Sequence, residues 1–195
     1  MNIPSRVLYV SSMSRSMILA VLVAFTAGIG FAQSGNLFPN GEFNTPNSAG
    51  TWPAKIGKPN KGSYEWGDEA GERFIRMTST TPLETVLFYQ QIGLNGAQAV
   101  EMTIKARVTG LVKGPKSWFD VRIMGDFRDS GSKKIKDFKP VVFGRDTDGW
   151  VERTVTIPVP DGAVFMAIMP SLLQVNAGTL DIASITVKPV TPDTP

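Results

Sequence analysis

Residues 100–108 read Val100-Glu101-Met102-Thr103-Ile104-Lys105-Ala106-Arg107-Val108. Apolar and polar residues alternate without a break, the period of two that gives a β-strand one packed face and one wet face. Neighbouring segments take the same reading. Residues 73–79 and 85–92 are strand-like, and Asn95-Gly96 turns the chain between them and the central run. Residues 117–128 form the next strand, with Phe119, Val121, Ile123 and Phe127 toward a core and Gly125 in register. Trp118, Asp120, Arg122, Met124 and Asp126 then face away, unusual company for a plain solvent face. Residues 150–158 put Val151, Val155 and Ile157 on one side; Asp161-Gly162 turns into residues 164–169; residues 178–187 close with Leu180, Ile182 and Ile185 packing. With Asn36-Leu37-Phe38 these segments make at least eight strands. No stretch holds an apolar period of 3.6 for three turns. The fold class is therefore all-β, a β-sandwich of two antiparallel sheets with Greek-key connections.

Composition prunes the chemistry. The 195 residues include 20 Lys+Arg and 17 Asp+Glu, with no Cys and no His. That excludes disulfides, thiol nucleophiles, thiolate metal sites, His-ligated zinc and any Ser-His-Asp triad. Carboxylate, Lys and Tyr chemistry, oxygen-ligated metals and binding without catalysis survive. At the start, Arg6 and Arg15 precede an uncharged run, residues 17–32, that ends in Gly30-Phe31-Ala32. This pattern is an export signal, shorter than the roughly 20 residues that span a bilayer. Met1 and Met13 both stand as starts. The expected organisation is a signal over 1–32, one sandwich domain over 33–188 and a Pro-rich tail over 189–195. The product is secreted, extracellular or periplasmic, with no membrane span once the signal is removed. Both charges lost with the signal are basic, so the net charge of +3 is no argument for nucleic acid. The dense basic run, Lys133, Lys134, Lys136 and Lys139, reads as a solvated loop or edge strand. Residues 45–62, rich in Pro, Asn, Gly and Lys, read as a long loop that could border a site.

The opening residues Asn36-Leu-Phe-Pro-Asn-Gly-Glu-Phe43, then Trp52, Phe88-Tyr-Gln-Gln-Ile92, Gly149-Trp150 and Gly178-Thr-Leu-Asp-Ile182 form an ordered series. Together they resemble the jelly-roll carbohydrate-binding modules appended to secreted cellulases, xylanases and laminarinases. The resemblance implies a galactose-binding-like sandwich, a glycan ligand and a structural calcium ion, with a glycoside hydrolase as a partner. Two positions depart from the family: Asn44 stands where a Glu usually follows the opening Phe, and Leu180-Asp181-Ile182 replaces an aromatic and two acids. If calcium binds, the resemblance assigns Asn44 and Asp181 as side-chain ligands, with Glu42 nearby, in a site weakened by the missing carboxylate.

A pyranose offers apolar C–H faces and a rim of hydroxyls, so its site needs flat aromatic surface and fixed polar groups. Trp118, Asp120 and Arg122 fall in one outward row of a single strand, where Asp120 can fix Arg122 by ion pairing. Tyr89 and Gln91 share a face of their own strand, and Arg76 shares one with Phe74 and Thr78. If these strands adjoin, the six residues line a groove for a β-glucan or xylan chain. The expected function is a non-catalytic polysaccharide-binding module; a structural or adhesive cell-surface sandwich and an accessory domain of a glycoside hydrolase are the alternatives. Catalysis by the chain itself would need two carboxylates about 5 to 10 Å apart. Asp120 and Asp126, six residues apart on one strand, are about 20 Å from each other.

Overall fold

The computed structural model describes residues 35–59 and 62–191; the expected signal and residues 192–195 of the tail lie outside them. The described residues form eleven strands and no helix. In chain order these are β1 (Ser63–Glu69), β2 (Glu72–Ser79), β3 (Val86–Leu87), β4 (Gln90–Gly93), β5 (Ala99–Val112) and β6 (Val121–Arg128). They continue with β7 (Lys134–Asp137), β8 (Val141–Phe143), β9 (Val151–Pro158), β10 (Phe165–Leu172) and β11 (Ala177–Val190). Five strands pair in the order β1-β2-β11-β5-β9. In the second, six-stranded sheet, β10 pairs with β3 and β4 on one side and β6 on the other, and β7 and β8 follow one another along β6. All pairs are antiparallel.

The alternation read in residues 100–108 holds in three dimensions. Met102, Ile104, Ala106 and Val108 are fully buried, and Glu101, Thr103, Lys105 and Arg107 take the outer face. Leu180, Ile182 and Ile185 of β11 join them, packing toward Val121, Ile123 and Phe127 of β6. The lysine-rich run forms the exposed strand β7 at the edge of its sheet. The structure also departs from the sequence reading, each time for a local reason. Residues 85–92 are two strands, not one. In the register that pairs Leu87 with Ser171 and Gln90 with Ile168, Phe88 falls opposite Pro170, which has no N–H to give the ladder. Strand β11 runs on through Pro189 and Val190, opposite Val100 and Ala99, so two residues assigned to the tail belong to the sandwich. Proline is tolerated there because β2 pairs with β11 only over residues 178–182. Trp52 is core, its Nε1 donating to the Ile56 carbonyl at 3.1 Å, whereas Trp150 is half-buried on an outer face.

The opening segment does structural work. Asn36 Oδ1 accepts from the Val187 N–H at 2.7 Å while its Nδ2 donates to the Ile185 carbonyl at 3.2 Å. Leu37 N–H donates to the Val187 carbonyl and Ile185 N–H to the Gly41 carbonyl. The segment therefore covers the edge of β11 that β2 leaves free. Gly41 is required for that approach, since a methyl group there would meet the Ile185 carbonyl oxygen at 2.1 Å. Asn40, in the left-handed region, ties the loop by donating to the carbonyls of Thr45 and Ala54.

Gly125 has a comparable role inside the six-stranded sheet. A Cβ there would lie 2.0 Å from the Ala167 carbonyl oxygen and 2.2 Å from the Phe138 ring, which fills the space. Gly125→Ala should therefore lower unfolding free energy by about 1 to 3 kcal/mol in urea titrations. Gly131→Ala, whose nearest neighbour is 3.4 Å away, should stay within about 0.5 kcal/mol of wild type.

Candidate functional site

On the outer face of the six-stranded sheet, β6 presents Arg122, Met124, Asp126 and Arg128. Pairing extends each position sideways: Arg122 lies beside Ser171 and then Leu87, Met124 beside Met169, and Asp126 beside Ala167 and then Gln91. In the same register Tyr89 continues the row of Met169 and Met124. The spacing Asp-x-Arg occurs twice, and each arginine folds back on its own acid. Arg122 Nε donates to Asp120 Oδ1 at 2.6 Å, and Arg128 Nε donates to Asp126 Oδ1 at 2.6 Å, with Nη2 on Oδ2 at 3.1 Å.

The small Ala167 lets groups on either side of it meet. The Arg128 guanidinium lies 5.6 Å from the centre of the Tyr89 ring, and the Tyr89 hydroxyl donates to Gln91 Oε1 at 2.9 Å. Ala167 is buried beneath this cluster although it points outward. Hydrogen bonding to Asp126 raises the Arg128 pKa, so its charge persists at any pH where binding is measured. Tyr89, 41% exposed, is flat aromatic surface beside fixed polar groups. The sequence reading named Tyr89 and Gln91; the structure sets Arg128 beside them, and its signal in the sequence is the second Asp-x-Arg, six residues after the first.

Trp118 does not stand in the row expected of it. The chain at residues 116–119 is a turn closed by Phe119 N–H on the Lys116 carbonyl at 2.9 Å, and β6 begins only at Val121. Trp118 is 51% exposed at the end of the sheet, edge-on to Phe119 with Lys116 Nζ 5.3 Å from its ring. Asp120 also precedes the strand and is 2% exposed, so it acts by holding Arg122. Asp120 and Arg122 are thus a fixed pair, with both terminal nitrogens of Arg122 making no hydrogen bond within the described residues.

Arg76 belongs to the other sheet. It pairs across β2 and β11 with Asp181, and Asp181 pairs onward with Arg107 of β5. Strands β2 and β4 do not adjoin, so the core separates Arg76 from Tyr89 and Gln91. Its guanidinium donates to both oxygens of Asp181, at 2.7 and 2.9 Å, and Arg107 donates to Oδ2 at 2.8 and 3.1 Å. The bond to Asp181 raises the Arg76 pKa; Arg107 is raised first by its hydrogen bond to Glu69 and then by Asp181. These arginines roof Phe74, which lies over Gly67, and Arg107 also covers Trp150 at 4.4 Å.

This arrangement does not fit calcium. Asp181 is 1% exposed between two guanidinium groups that would repel a cation, and its flanking residues Leu180 and Ile182 are core. Asn44 is exposed in the opening loop, donating to Glu42 Oε2 at 3.2 Å. It borders a polar cleft of about 380 Å³ with Glu72, Arg73, Lys105 and Glu152, which Asp181 does not line. Among the described residues no three acidic side chains are placed to hold a metal ion together.

No family model and no curated protein matches the sequence. Solved structures share the fold. The enzymatically active domain of tailspike protein 4 from bacteriophage CBA120 superposes with a TM-score of 0.57 at 13% identity, over 80% of this chain and 21% of that one. The chain thus spans about a fifth of the length of that tailspike domain. A CBM4 carbohydrate-binding module matches with a TM-score of 0.50 at 19% identity, and a family 16 carbohydrate-binding module at 0.50 and 14%. Each covers 78% of this chain and 99% of its own. The fold is that of the jelly-roll carbohydrate-binding modules.

Removing the Asp181 carboxylate leaves two arginines facing each other without their shared buried acid, with only the more exposed Glu65 and Glu69 nearby. Asp181→Ala is expected to cost about 2 to 4 kcal/mol in urea unfolding. Wild-type protein with calcium and with chelator should melt within about 1 °C of each other, since a ligand raises Tm only by binding the folded chain.

Proposed function

We propose that the outer face of the six-stranded sheet binds a polysaccharide of the β-glucan or xylan type, and that the protein is a secreted, non-catalytic module. One observation carries this reading: Tyr89, Gln91, Asp126 and Arg128 meet over Ala167 as exposed aromatic surface ringed by fixed polar groups. The Tyr89 ring face not covered by Arg128 would stack on a sugar C–H face. The Gln91 amide N–H groups, which make no hydrogen bond within the described residues, and the free nitrogens of Arg122 would bond hydroxyls. Met124 and Met169 give an apolar floor between the two Asp-x-Arg pairs. From β4 to β6 the face is about 10 Å wide, room for a chain lying across the strands. Trp118, past the end of β6, would hold a further ring.

Binding without hydrolysis is favoured by the state of the acids. Asp120 and Asp126 are each held by their own arginine, and their spacing along the chain is far beyond that of a glycosidase pair. In this reading the module acts by holding a glycoside hydrolase, on the same or another chain, against its substrate.

Affinity electrophoresis through gels containing soluble β-glucan or xylan tests the assignment. Wild type should be retarded by at least one of them. Tyr89→Ala should weaken retention about tenfold, the loss of one stacking platform; Trp118→Ala should weaken it less, and Arg76→Ala, on the opposite sheet, should leave it unchanged. A wild-type protein that no glycan retards, or a Tyr89→Ala/Trp118→Ala protein that migrates as wild type does, would sink the proposal.

A further inference from the structure

On the outer face of the six-stranded sheet the acids are taken and cations are left over. Asp120, Asp126 and Asp137 are held by Arg122, Arg128 and Lys134. Among the described residues Lys113 and Arg153 make no ion pair. Both come to strand β8, next to Arg122. Val141 and Phe143 of β8 are core, so Val142 and Gly144 take the outer face, and Val142 pairs with Arg122. One step further in that register sets Gly144 beside Asp120. A methyl group on Gly144 would lie 3.3 Å from Lys113 Nζ and 3.9 Å from Val142 Cγ1. The Lys113 ammonium therefore sits over the missing side chain, on the sheet face that carries Arg122. Arg153 reaches the edge of β8 from the other sheet and donates to the Val142 carbonyl.

Arg122 turns its forked end to this place. Its Nε is spent on Asp120 Oδ1 at 2.6 Å, while Nη1 and Nη2 make no hydrogen bond within the described residues. Paired N–H groups of one planar guanidinium match the two oxygens of a carboxylate; a lone hydroxyl uses half of that capacity. The Arg122 side chain is 13% exposed and its acid 3%, so the protein has already fixed the direction of the fork. Charge points the same way. Three cations meet one acid here, and the next acid along the chain from Gly144, Asp146, is turned to the N–H groups of Gly110 and Leu111 at 2.8 Å. A neutral sugar would leave that positive excess unmatched.

We propose that Arg122 and Lys113 hold the carboxylate of a uronic acid carried by the bound polysaccharide. This rests on the glycan reading of the same face and narrows its ligand from neutral chains to acidic ones. The free fork of Arg122 takes the two carboxylate oxygens in place of a hydroxyl, and Lys113 meets them from β8. Tyr89 and its polar neighbours, two rows away along β6, keep the role of stacking on the backbone of the chain.

Titration calorimetry of the full chain with two forms of one polymer tests the assignment. The probes are a glucuronoxylan and the same glucuronoxylan after reduction of its carboxylates to alcohols, which keeps backbone and length. Wild type should bind the acidic form about tenfold more tightly, the worth of one charge-assisted bidentate pair. Lys113→Gln, an exposed change that leaves Asp120 and Arg122 paired, should narrow the preference to within about threefold. Lys133→Gln removes the same charge from the far end of the sheet edge and should keep the full preference. Equal binding of the two forms by wild type overturns the proposal and leaves the glycan reading standing. Equal losses from Lys113→Gln and Lys133→Gln also overturn it, since diffuse attraction would then replace a site. Binding to neutral β-glucan with none to either xylan form does the same, whereas failure on every polymer would remove the glycan reading itself.

Discussion

A β-strand turns successive side chains to opposite sides of its sheet, and that rule places the outward side chains of β4 and β6 on which the proposed binding face rests. Both sheets spend one set of side chains on the shared core, so recognition is left to the outer faces, the ends and the seam. On β6 the rule sends Val121, Ile123 and Phe127 inward and Arg122, Met124, Asp126 and Arg128 outward. Because arginine and its acid are two residues apart, each falls on the same side as its partner, and the pair is prepared before any ligand arrives. Preorganisation of this kind reduces the ordering cost of binding.

The two outer faces use similar chemistry to different ends. On the five-stranded sheet Arg76 and Arg107 converge on one buried carboxylate and roof Phe74, so donors and ring surface are consumed within the protein. On the six-stranded sheet each arginine has its own acid, Tyr89 stays open, and donors are left over. Composition alone would not separate the faces. What separates them is whether the polar groups satisfy one another.

Alternation made the core, the sandwich and the faces of β5 and β6 legible in the sequence, since that signal is local and repeats. The second Asp-x-Arg was equally readable and points to Arg128. The placing of Trp118 and Arg76 was not. Trp118 leaves its row because a turn at residues 116–119 delays the start of the strand to Val121, and apolar spacing does not record a turn closed at Phe119. Arg76 sits on the far sheet because strand partnership is long-range, and nothing within residues 73–79 says that β11 rather than β4 lies beside them. The opening Asn36-to-Phe43 pattern, which carries much of the family likeness, closes the edge of β11 and so marks a fold more than a ligand.

That closure has a mechanical side. Leu37 bonds Val187, and Gly41 bonds Ile185 further along, so the first described residues run antiparallel to the last strand and both ends of the domain emerge together. Tension applied between the two ends would peel these bonds one after another, like a zipper, instead of loading them all at once. The sandwich would yield its outermost seam of backbone under modest pull while the buried pairing of β5 with β11 still held.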